Sequence, residues 1–406
     1  IYTWRQADNK NILNFKNEYP NTQTLLLEEN YRTTKTILEA SNRIITKNKK
    51  RKEKNLFTKN KDGENISLFP AYNELQEAQF IALKSKELIG RGVSPKEIAV
   101  LYRANFQSRI LEEVFLKLDI PYQVLGVRFF ERKEIKDILA FLRASLSPES
   151  ISDMKRIINI PPRGIGKVTL LKIVEGRENE LSAKVLEKIN DFKNLLEKIK
   201  GTAMSKKPSE TIKFILKESG LEETLKSKSE EDLERLLNIK ELTTLAIRYD
   251  NLPPQEGIEK LLEDAALASD QDELKEEKNA VRLMTVHASK GLEFEYVFIA
   301  GLEDGLFPHS GFDDTKDEEE ERRLFYVALT RAKKKVFLSY ASVRTIFGSQ
   351  TVNLPSEFIM DIEDDLIDEV TLDNVEGVDD SNHTSSEFLI FLSITCFKHS
   401  YSMKIL

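Results

Sequence analysis

Short apolar runs that lack alternating polar residues restrict the fold of this chain more than any other feature. They occupy residues 25–27, 98–102, 296–300 and 336–340. A half-exposed strand alternates apolar and polar side chains, so continuous runs are typical of strands buried on both faces of a parallel sheet. The pattern therefore predicts such a sheet.

Between these runs the apolar spacing becomes helical. Residues 107–118 place five apolar side chains on one helical stripe, and either Thr33 or Thr34 is a suitable N-cap for a helix that continues through Ala40. Alternation of strands and helices predicts an α/β domain with a parallel sheet.

A strand-poor stretch interrupts this pattern between residues 145 and 279. Lys, Glu and Leu recur there at helical spacing through residues 184–198, 208–219 and 230–247. The sheet pattern resumes at Val281 with a strand expected over residues 281–286. We expect one α/β domain that is split by a helical insertion.

Composition limits the function classes. The 406 residues include 61 Lys and Arg against 68 Asp and Glu, and the net charge of −7 argues against a uniformly basic nucleic-acid binder. Residues 46–61 hold eight Lys or Arg and one Glu, which is a local basic patch or a solvated loop. Any DNA site must therefore be local.

Cysteine and histidine usage predicts neither disulfides nor a metal site. The single Cys396 excludes an internal disulfide and fits a reducing cytoplasm, where we expect the protein. The four histidines, His287, His309, His383 and His399, lack metal-site spacing, so we predict no bound zinc. No signal peptide opens the chain, and no apolar run approaches the ~20 residues that span a bilayer.

Arg331 is the first candidate for chemistry. Leu324, Val327, Ala328 and Arg331 fall at helical spacing, so the arginine projects from an apolar stripe. An unpaired buried charge is costly, and a guanidinium suits either a phosphate or a carboxylate. A ligand phosphate and an internal ion pair are both open at this point.

Five ordered segments carry a family resemblance. IYTWRQAD at residues 1–8, LLLEENYRT at 25–33, AVLYRANFQSR at 99–109, TVHASKGLEF at 285–294 and the segment at 320–333 resemble motifs III to VI of superfamily 1 DNA helicases of the UvrD/PcrA branch. The resemblance extends from Ile1 to about Phe358. It implies a RecA-like fold and an ATP-driven motor that moves 3' to 5' on single-stranded DNA, with ATP, single strands and duplex junctions as partners.

The resemblance also assigns the nucleotide residues. Tyr31 would pack on the adenine or sugar, Arg32 and Arg331 would be the two catalytic γ-phosphate arginines, and Glu293 would contact the ribose. The residues alone leave simpler alternatives open. We expect Arg32 near the carboxyl side of the strand predicted over residues 25–27, where it could form a salt bridge. Glu293 could be a solvent-facing turn residue.

A second set would contact DNA. Aromatic platforms and backbone cations are what single-stranded DNA requires, and the motifs place them at Tyr2, Trp4, Arg5, Arg103, Asn105, His287, Lys290 and Phe347. Gly164 and Gly166 lie in PPRGIG, which resembles a hairpin whose N–H groups bind duplex phosphates. Simpler alternatives remain open for these residues. Trp4 could belong to the core, Arg103 and Asn105 could lie at a capped helix start, and Phe347 could be packed. Gly164 and Gly166 could form a plain turn.

Two expected motor elements are missing from the sequence. It contains no GxxxxGK[ST] string and no strand that ends in a magnesium-holding DExx pair. The acidic run at residues 317–321 follows no strand, so we interpret it as a solvated first helical turn. We expect the Mg²⁺ site and most phosphate contacts upstream, in a longer helicase of which this chain is an inactive part. A DNA-binding or regulatory module without catalysis is the alternative.

The resemblance divides the chain into five parts. Residues 1–22 end a first RecA-like domain, 23–144 and 280–360 form the second, 145–279 form the helical accessory domain, and 361–406 form an acidic linker and an atypical tail. Residues 361–380 include ten acidic and no basic residues, so a solvated linker is expected. Repair or replication proteins are expected partners, although the family shares one framework among several pathways.

Overall fold

The computed structural model describes residue 15 and residues 18–372, apart from residues 24, 50, 52–53, 227–228, 274–278, 310–317 and 347. The predicted DNA contacts Tyr2, Trp4, Arg5 and Phe347 lie outside the described residues, as do residues 373–406 of the predicted tail.

Eight strands of the described chain form one sheet. They are β1 (Ile66–Asn73), β2 (Ile98–Tyr102), β3 (Tyr122–Val124), β4 (Val281–Thr285), β5 (Phe294–Ile299), β6 (Ala332–Ile346), β7 (Ser349–Val352) and β8 (Ile367–Glu369). Seven run parallel in the order β3, β4, β2, β5, β6, β1, β8, and β7 pairs antiparallel with β6. The predicted α/β class with a parallel sheet is confirmed.

The sheet is covered on both faces, which explains its continuous apolar runs. Every residue of β2 is buried. One face packs against α1 (Lys35–Thr46), α12 (Glu318–Leu329) and α13 (Glu357–Met360). The other face packs against α2 (Glu74–Gly90) and α3 (Ser108–Lys117). Strands between two helical layers have no polar face.

Eight helices of the described residues lie between β3 and β4. They are α4 (Lys133–Leu146), α5 (Ile151–Ile157), α6 (Lys167–Val174), α7 (Ala183–Ser205), α8 (Pro208–Glu218), α9 (Leu221–Lys226), α10 (Glu230–Ala246) and α11 (Pro254–Glu273). They share a hydrophobic core of their own, which includes Phe141, Phe192 and Leu242. Because that core already contains Phe129 and Ile135, we propose that the helical domain begins near residue 129 rather than at 145.

Side-chain N-caps define where two of the helices begin. The Asn73 side chain accepts a hydrogen bond from the Gln76 N–H at 2.9 Å where β1 turns into α2. Ser229 accepts one from the Asp232 N–H at 3.1 Å at the start of α10. Such caps satisfy helix N–H groups that have no intrahelical partner. Thr34 occupies the N-cap position of α1, but its side chain makes no cap hydrogen bond.

The strand expected at residues 25–27 is wrong. Leu25 and Leu27 are 79% and 82% exposed, and among the described residues 25–33 only Glu29 forms a bridge, to Phe57. Three apolar residues are too few to specify a strand when no neighbouring strand covers them.

The solvated linker expected from residue 361 onward is also wrong for its first part. Ile362 and Leu366 are buried in the sheet core, and β8 pairs with β1. Apolar residues interspersed among the acidic ones fold this segment against the sheet edge, where Glu363, Asp364 and Asp365 remain exposed and Asp361 pairs with Arg322.

Candidate functional site

Three loops meet at the amino ends of β5 and β6 and bring together the predicted nucleotide residues. Arg32 precedes α1, Glu293 immediately precedes β5, and Arg331 lies between α12 and β6. The Phe294 N–H donates to the Arg331 carbonyl at 3.0 Å, which ties two of these loops together. We call this group the amino-edge cluster. Its position corrects the expectation that Arg32 lies near the carboxyl side of a strand over residues 25–27.

Arg32 is held by partners from both other loops. Its Nη2 forms an ion pair with Oε1 of Glu293, and its Nη1 donates to the Thr330 carbonyl at 3.2 Å. Its Nε is buried and has no hydrogen-bond partner among the described residues. The hydrogen bond from Arg32 lowers the pKa of Glu293. One guanidinium donor therefore stays unsatisfied.

Arg331 is 9% exposed, and its guanidinium donates hydrogen bonds to neutral oxygen atoms. Its Nε donates to the Val327 carbonyl at 3.0 Å, Nη1 to the Leu292 carbonyl at 3.0 Å, and Nη2 to Oγ1 of Thr330 at 3.2 Å. Burial lowers its pKa, and the positive charge of Arg32 lowers it further. Within the described ranges no carboxylate forms a direct ion pair with Arg331, so the internal ion pair considered above is not what the structure shows.

Sequence reasoning missed Lys333. Its Nζ lies 4.0 Å from Oε2 of Glu293. With Lys333 included, the amino-edge cluster contains three cations, Arg32, Arg331 and Lys333, and one carboxylate, Glu293, so positive charge is in excess by two. The signal was the basic run that follows Arg331. Arg331 is buried, whereas Arg32, Glu293 and Lys333 are 31%, 36% and 40% exposed, so a ligand can reach this excess of positive charge, which favours an anion.

Tyr31 lies beside this cluster in the sequence and is 78% exposed. Its hydroxyl donates to Oε2 of Glu29 at 2.9 Å, and this contact raises the pKa of Tyr31. An aromatic face that is open to solvent can pack against a planar ligand. The structure leaves the predicted base contact sterically accessible.

Most predicted DNA residues of the sheet domain lie at the opposite, carboxyl edge. Arg103 and Asn105 follow β2, and His287 and Lys290 follow β4. Nε of Arg103 donates to Oε1 and Oε2 of Glu321 at 3.1 and 3.0 Å, and Nη2 donates to Oε1 at 2.9 Å. The two side chains are 11% and 12% exposed, so the prediction that the acidic turn is fully solvated is wrong at Glu321.

The remaining residues of this edge differ in accessibility. Asn105 donates through Nδ2 to Oε2 of Glu234 in α10 at 3.0 Å. His287 is half-buried, and burial together with the charge of Arg103 lowers its pKa to about 4. It is therefore neutral at pH 7. Lys290 is exposed. His309 was not predicted; its N–H donates to Oε2 of Glu321 at 3.0 Å.

The hairpin that contains Gly164 and Gly166 lies in the helical domain. Gly164 has φ +73°, a conformation that glycine adopts readily. The N–H groups of Arg163, Gly164 and Ile165 all point at Oδ1 of Asn159, at 2.7, 3.0 and 3.4 Å. These donors are occupied, which leaves the backbone from Gly166 into α6 for the predicted phosphate contact.

One helix joins the two edges of the sheet. Glu321 lies in the first turn of α12, and the chain runs from the end of α12 directly into Thr330 and Arg331. Leu324, Phe325, Ala328 and Leu329 fix this helix against the sheet. Glu321 of the carboxyl-edge ion pair and Arg331 of the amino-edge cluster are therefore connected through one helix.

The chain belongs to the UvrD-like helicase C-terminal domain family, whose model matches residues 25–343. It is 41% identical over 393 residues to the ATP-dependent DNA helicase PcrA of Bacillus subtilis strain 168, covering 91% of this chain and 53% of that protein. It is 38% identical over 393 residues to the PcrA helicase of Staphylococcus epidermidis strain RP62A, covering 91% and 54%. The predicted family resemblance is confirmed, and the chain spans about half the length of the curated relatives it matches.

A solved structure of the C-terminal domain of a possible DNA helicase from a Lactobacillus matches with a TM-score of 0.34 and 9% identity, over 84% of this chain and 98% of that chain. No helix in the described ranges is long and apolar enough to cross a membrane. Nor do these ranges contain three grouped His, Cys, Asp or Glu side chains that could hold a metal ion.

Proposed function

We propose that this chain is the second motor domain and accessory domain of an ATP-dependent DNA helicase that moves 3' to 5' on single-stranded DNA. The observation that carries the proposal is the amino-edge cluster. Three loops that are distant in sequence bring Arg32, Glu293 and Arg331 together, with an excess of positive charge and one unsatisfied guanidinium donor.

The cluster fits the terminal phosphate of ATP. Phosphoryl transfer spreads negative charge over the γ-phosphate oxygens, and a correctly placed arginine can increase the rate by roughly 10³ to 10⁵. In the proposed site Arg331 presents a buried guanidinium that has no counter-carboxylate among the described residues, and Arg32 presents its unpaired Nε. Glu293 keeps lone pairs on Oε2 that can accept a ribose hydroxyl.

The carboxyl edge is the proposed DNA side. Arg103 and Lys290 supply positive charge for backbone phosphates, and neutral His287 supplies a hydrogen bond or a planar face rather than a charge. Because α12 connects Glu321 to Arg331, movement of the arginine toward a nucleotide would be transmitted to the DNA side. This connection provides a physical route from hydrolysis to translocation.

The test is Arg331→Ala in the full-length helicase, with Lys334→Ala as the matched control. Lys334 is an exposed cation three residues further along that pairs with Glu295. We expect Arg331→Ala to reduce DNA-stimulated ATP turnover by about 10³-fold or more while the affinity for single-stranded DNA stays within a factor of about two. Turnover equal to that of the control would refute the assigned role.

A further inference from the structure

Glu321 has a defined place at the carboxyl edge although no motif role was expected for it. Its carboxylate binds Nε and Nη2 of Arg103, and Oε2 also accepts the His309 N–H at 3.0 Å. We propose that Glu321 is a positioning residue for DNA binding that fixes the Arg103 guanidinium with its Nη1 side toward a backbone phosphate. The inference rests on the proposed function, which assigns Arg103 to DNA.

Guanidinium geometry supports this assignment. The group has five N–H donors in a plane, and Glu321 occupies only the side formed by Nε and Nη2. No hydrogen bond involves Nη1 of Arg103 within the described part of the chain, and Nη1 is absent from the buried atoms that lack a partner. The Arg103 side chain keeps 11% of its surface exposed, and Nη1 is the guanidinium nitrogen that Glu321 leaves unoccupied. A phosphate can bind there without displacing the carboxylate.

The surroundings make Glu321 a rigid support. Its side chain is 12% exposed, its helix is fixed to the sheet by buried Leu324 and Phe325, and the His309 backbone restrains one of its oxygens. Long arginine side chains lose rotamer freedom when they bind. An ion pair that already fixes Arg103 removes that loss from the DNA-binding step.

A different role for Glu321 would change the affinity for DNA in the opposite direction. If Glu321 competed with phosphate for Arg103, its neutralisation would strengthen DNA binding. If Glu321 positions Arg103, its neutralisation weakens binding because the guanidinium becomes free to rotate. The two mechanisms therefore predict changes in opposite directions.

The experiment measures binding of a fluorescein-labelled oligothymidylate to the 406-residue chain by anisotropy at several salt concentrations. The variants are Glu321→Gln, Arg103→Gln, the double variant, and Glu320→Gln as control, because Glu320 lies on the same turn and pairs with Arg323. We expect Glu321→Gln to weaken binding about fivefold to tenfold, and the double variant to match Arg103→Gln because both changes act on one contact.

The salt dependence adds a readout that a purely structural role would not move. Loss of one phosphate contact lowers the slope of log K against log salt by about 0.7 for a single strand. Arg103→Lys is a second variant that leaves α12 intact and keeps the charge without the planar fork. It should weaken binding to a similar extent, and binding as tight as that of the wild type would overturn the inference.

The outcomes separate the inference from the proposed function. Unchanged or tighter binding by Glu321→Gln, with weaker binding by Arg103→Gln, overturns the positioning role and leaves the DNA contact intact. Unchanged binding by Arg103→Gln removes both the contact and the inference. Absence of oligothymidylate binding by the wild-type chain contradicts the proposed DNA side itself and, with it, the inference. If Glu321→Gln does not fold, as judged by its circular dichroism, Arg103→Lys decides.

Discussion

Replacement of Arg344 by Met is expected to destabilise the sheet domain strongly. Arg344 lies in β6 and is 4% exposed, between Glu77 of α2 and Glu303 of the loop after β5, which are 4% and 0% exposed. Its Nε donates to Oε2 of Glu303 at 2.9 Å, and its Nη2 donates to Oε2 of Glu77 at 2.6 Å. The variant would leave two buried carboxylates without their cation.

The magnitude follows from the contacts that remain. Breaking a buried ion pair by removing one partner costs about 3–5 kcal/mol. Glu77 would still accept from the Gly301 N–H at 2.8 Å and from the Ser339 hydroxyl at 2.9 Å. Glu303 would still accept from the Ala341 N–H and from Nδ2 of Asn353, both at 2.7 Å. These bonds limit the loss, so we expect about 4 kcal/mol near neutral pH.

The pH dependence has a defined sign. Without Arg344, burial should raise the pKa of at least one of these two carboxyls above its value in the unfolded chain. A raised folded-state pKa gives stability that is present at low pH and lost as pH rises. The deficit of the variant relative to wild type should therefore be smaller at pH 5 than at pH 8.

The assay is the urea dependence of hydrogen exchange in peptides from β5 and β6, which reports on the sheet domain separately from the helical domain. Arg323→Met is the control, because Arg323 makes partly exposed ion pairs with Glu319 and Glu320 on one helix and should lose at most about 1 kcal/mol. A loss at Arg344→Met no larger than that of the control, or a deficit that grows as pH falls, would refute the reasoning.

Two further predictions concern the other sites. His287 should titrate by NMR with a pKa of about 4, and Arg103→Gln should raise that pKa because a neighbouring positive charge is removed; an unchanged value would contradict the electrostatic cause. Asn159→Ala should destabilise the helical domain by about 0.5–1.5 kcal/mol, because three N–H groups of the exposed hairpin lose their shared acceptor. Thermal unfolding with exposed Asn190→Ala as control measures this, and equal melting temperatures of the two variants would count against it.

The sequence by itself determined the fold class and the positions of the main helices and strands, although β6 and α7 extend beyond the predicted runs at residues 336–340 and 184–198. The apolar run over β2 and the helical spacing of residues 184–198 and 208–219 were sufficient to predict these elements. A segment that is buried on both faces, or along one helical stripe, has apolar residues at the buried positions, so its own sequence shows the pattern. The run at residues 25–27 was too short to do so.

The ordered motifs also indicated which side chains gather at the amino edge, Arg32, Glu293 and Arg331. Their partners could not be derived from the sequence. Arg103 meets Glu321 across 218 positions, and Arg331 is satisfied by neutral oxygens rather than by a carboxylate.

Ion pairing between distant segments depends on which loops the sheet order brings to the same edge, and no local pattern encodes that order. The places of His309 and Glu321 therefore became recognisable only in the tertiary structure. The sequence specified which charges the chain carries, and the parallel sheet decided which of them are neutralised within the fold and which remain available for an anion.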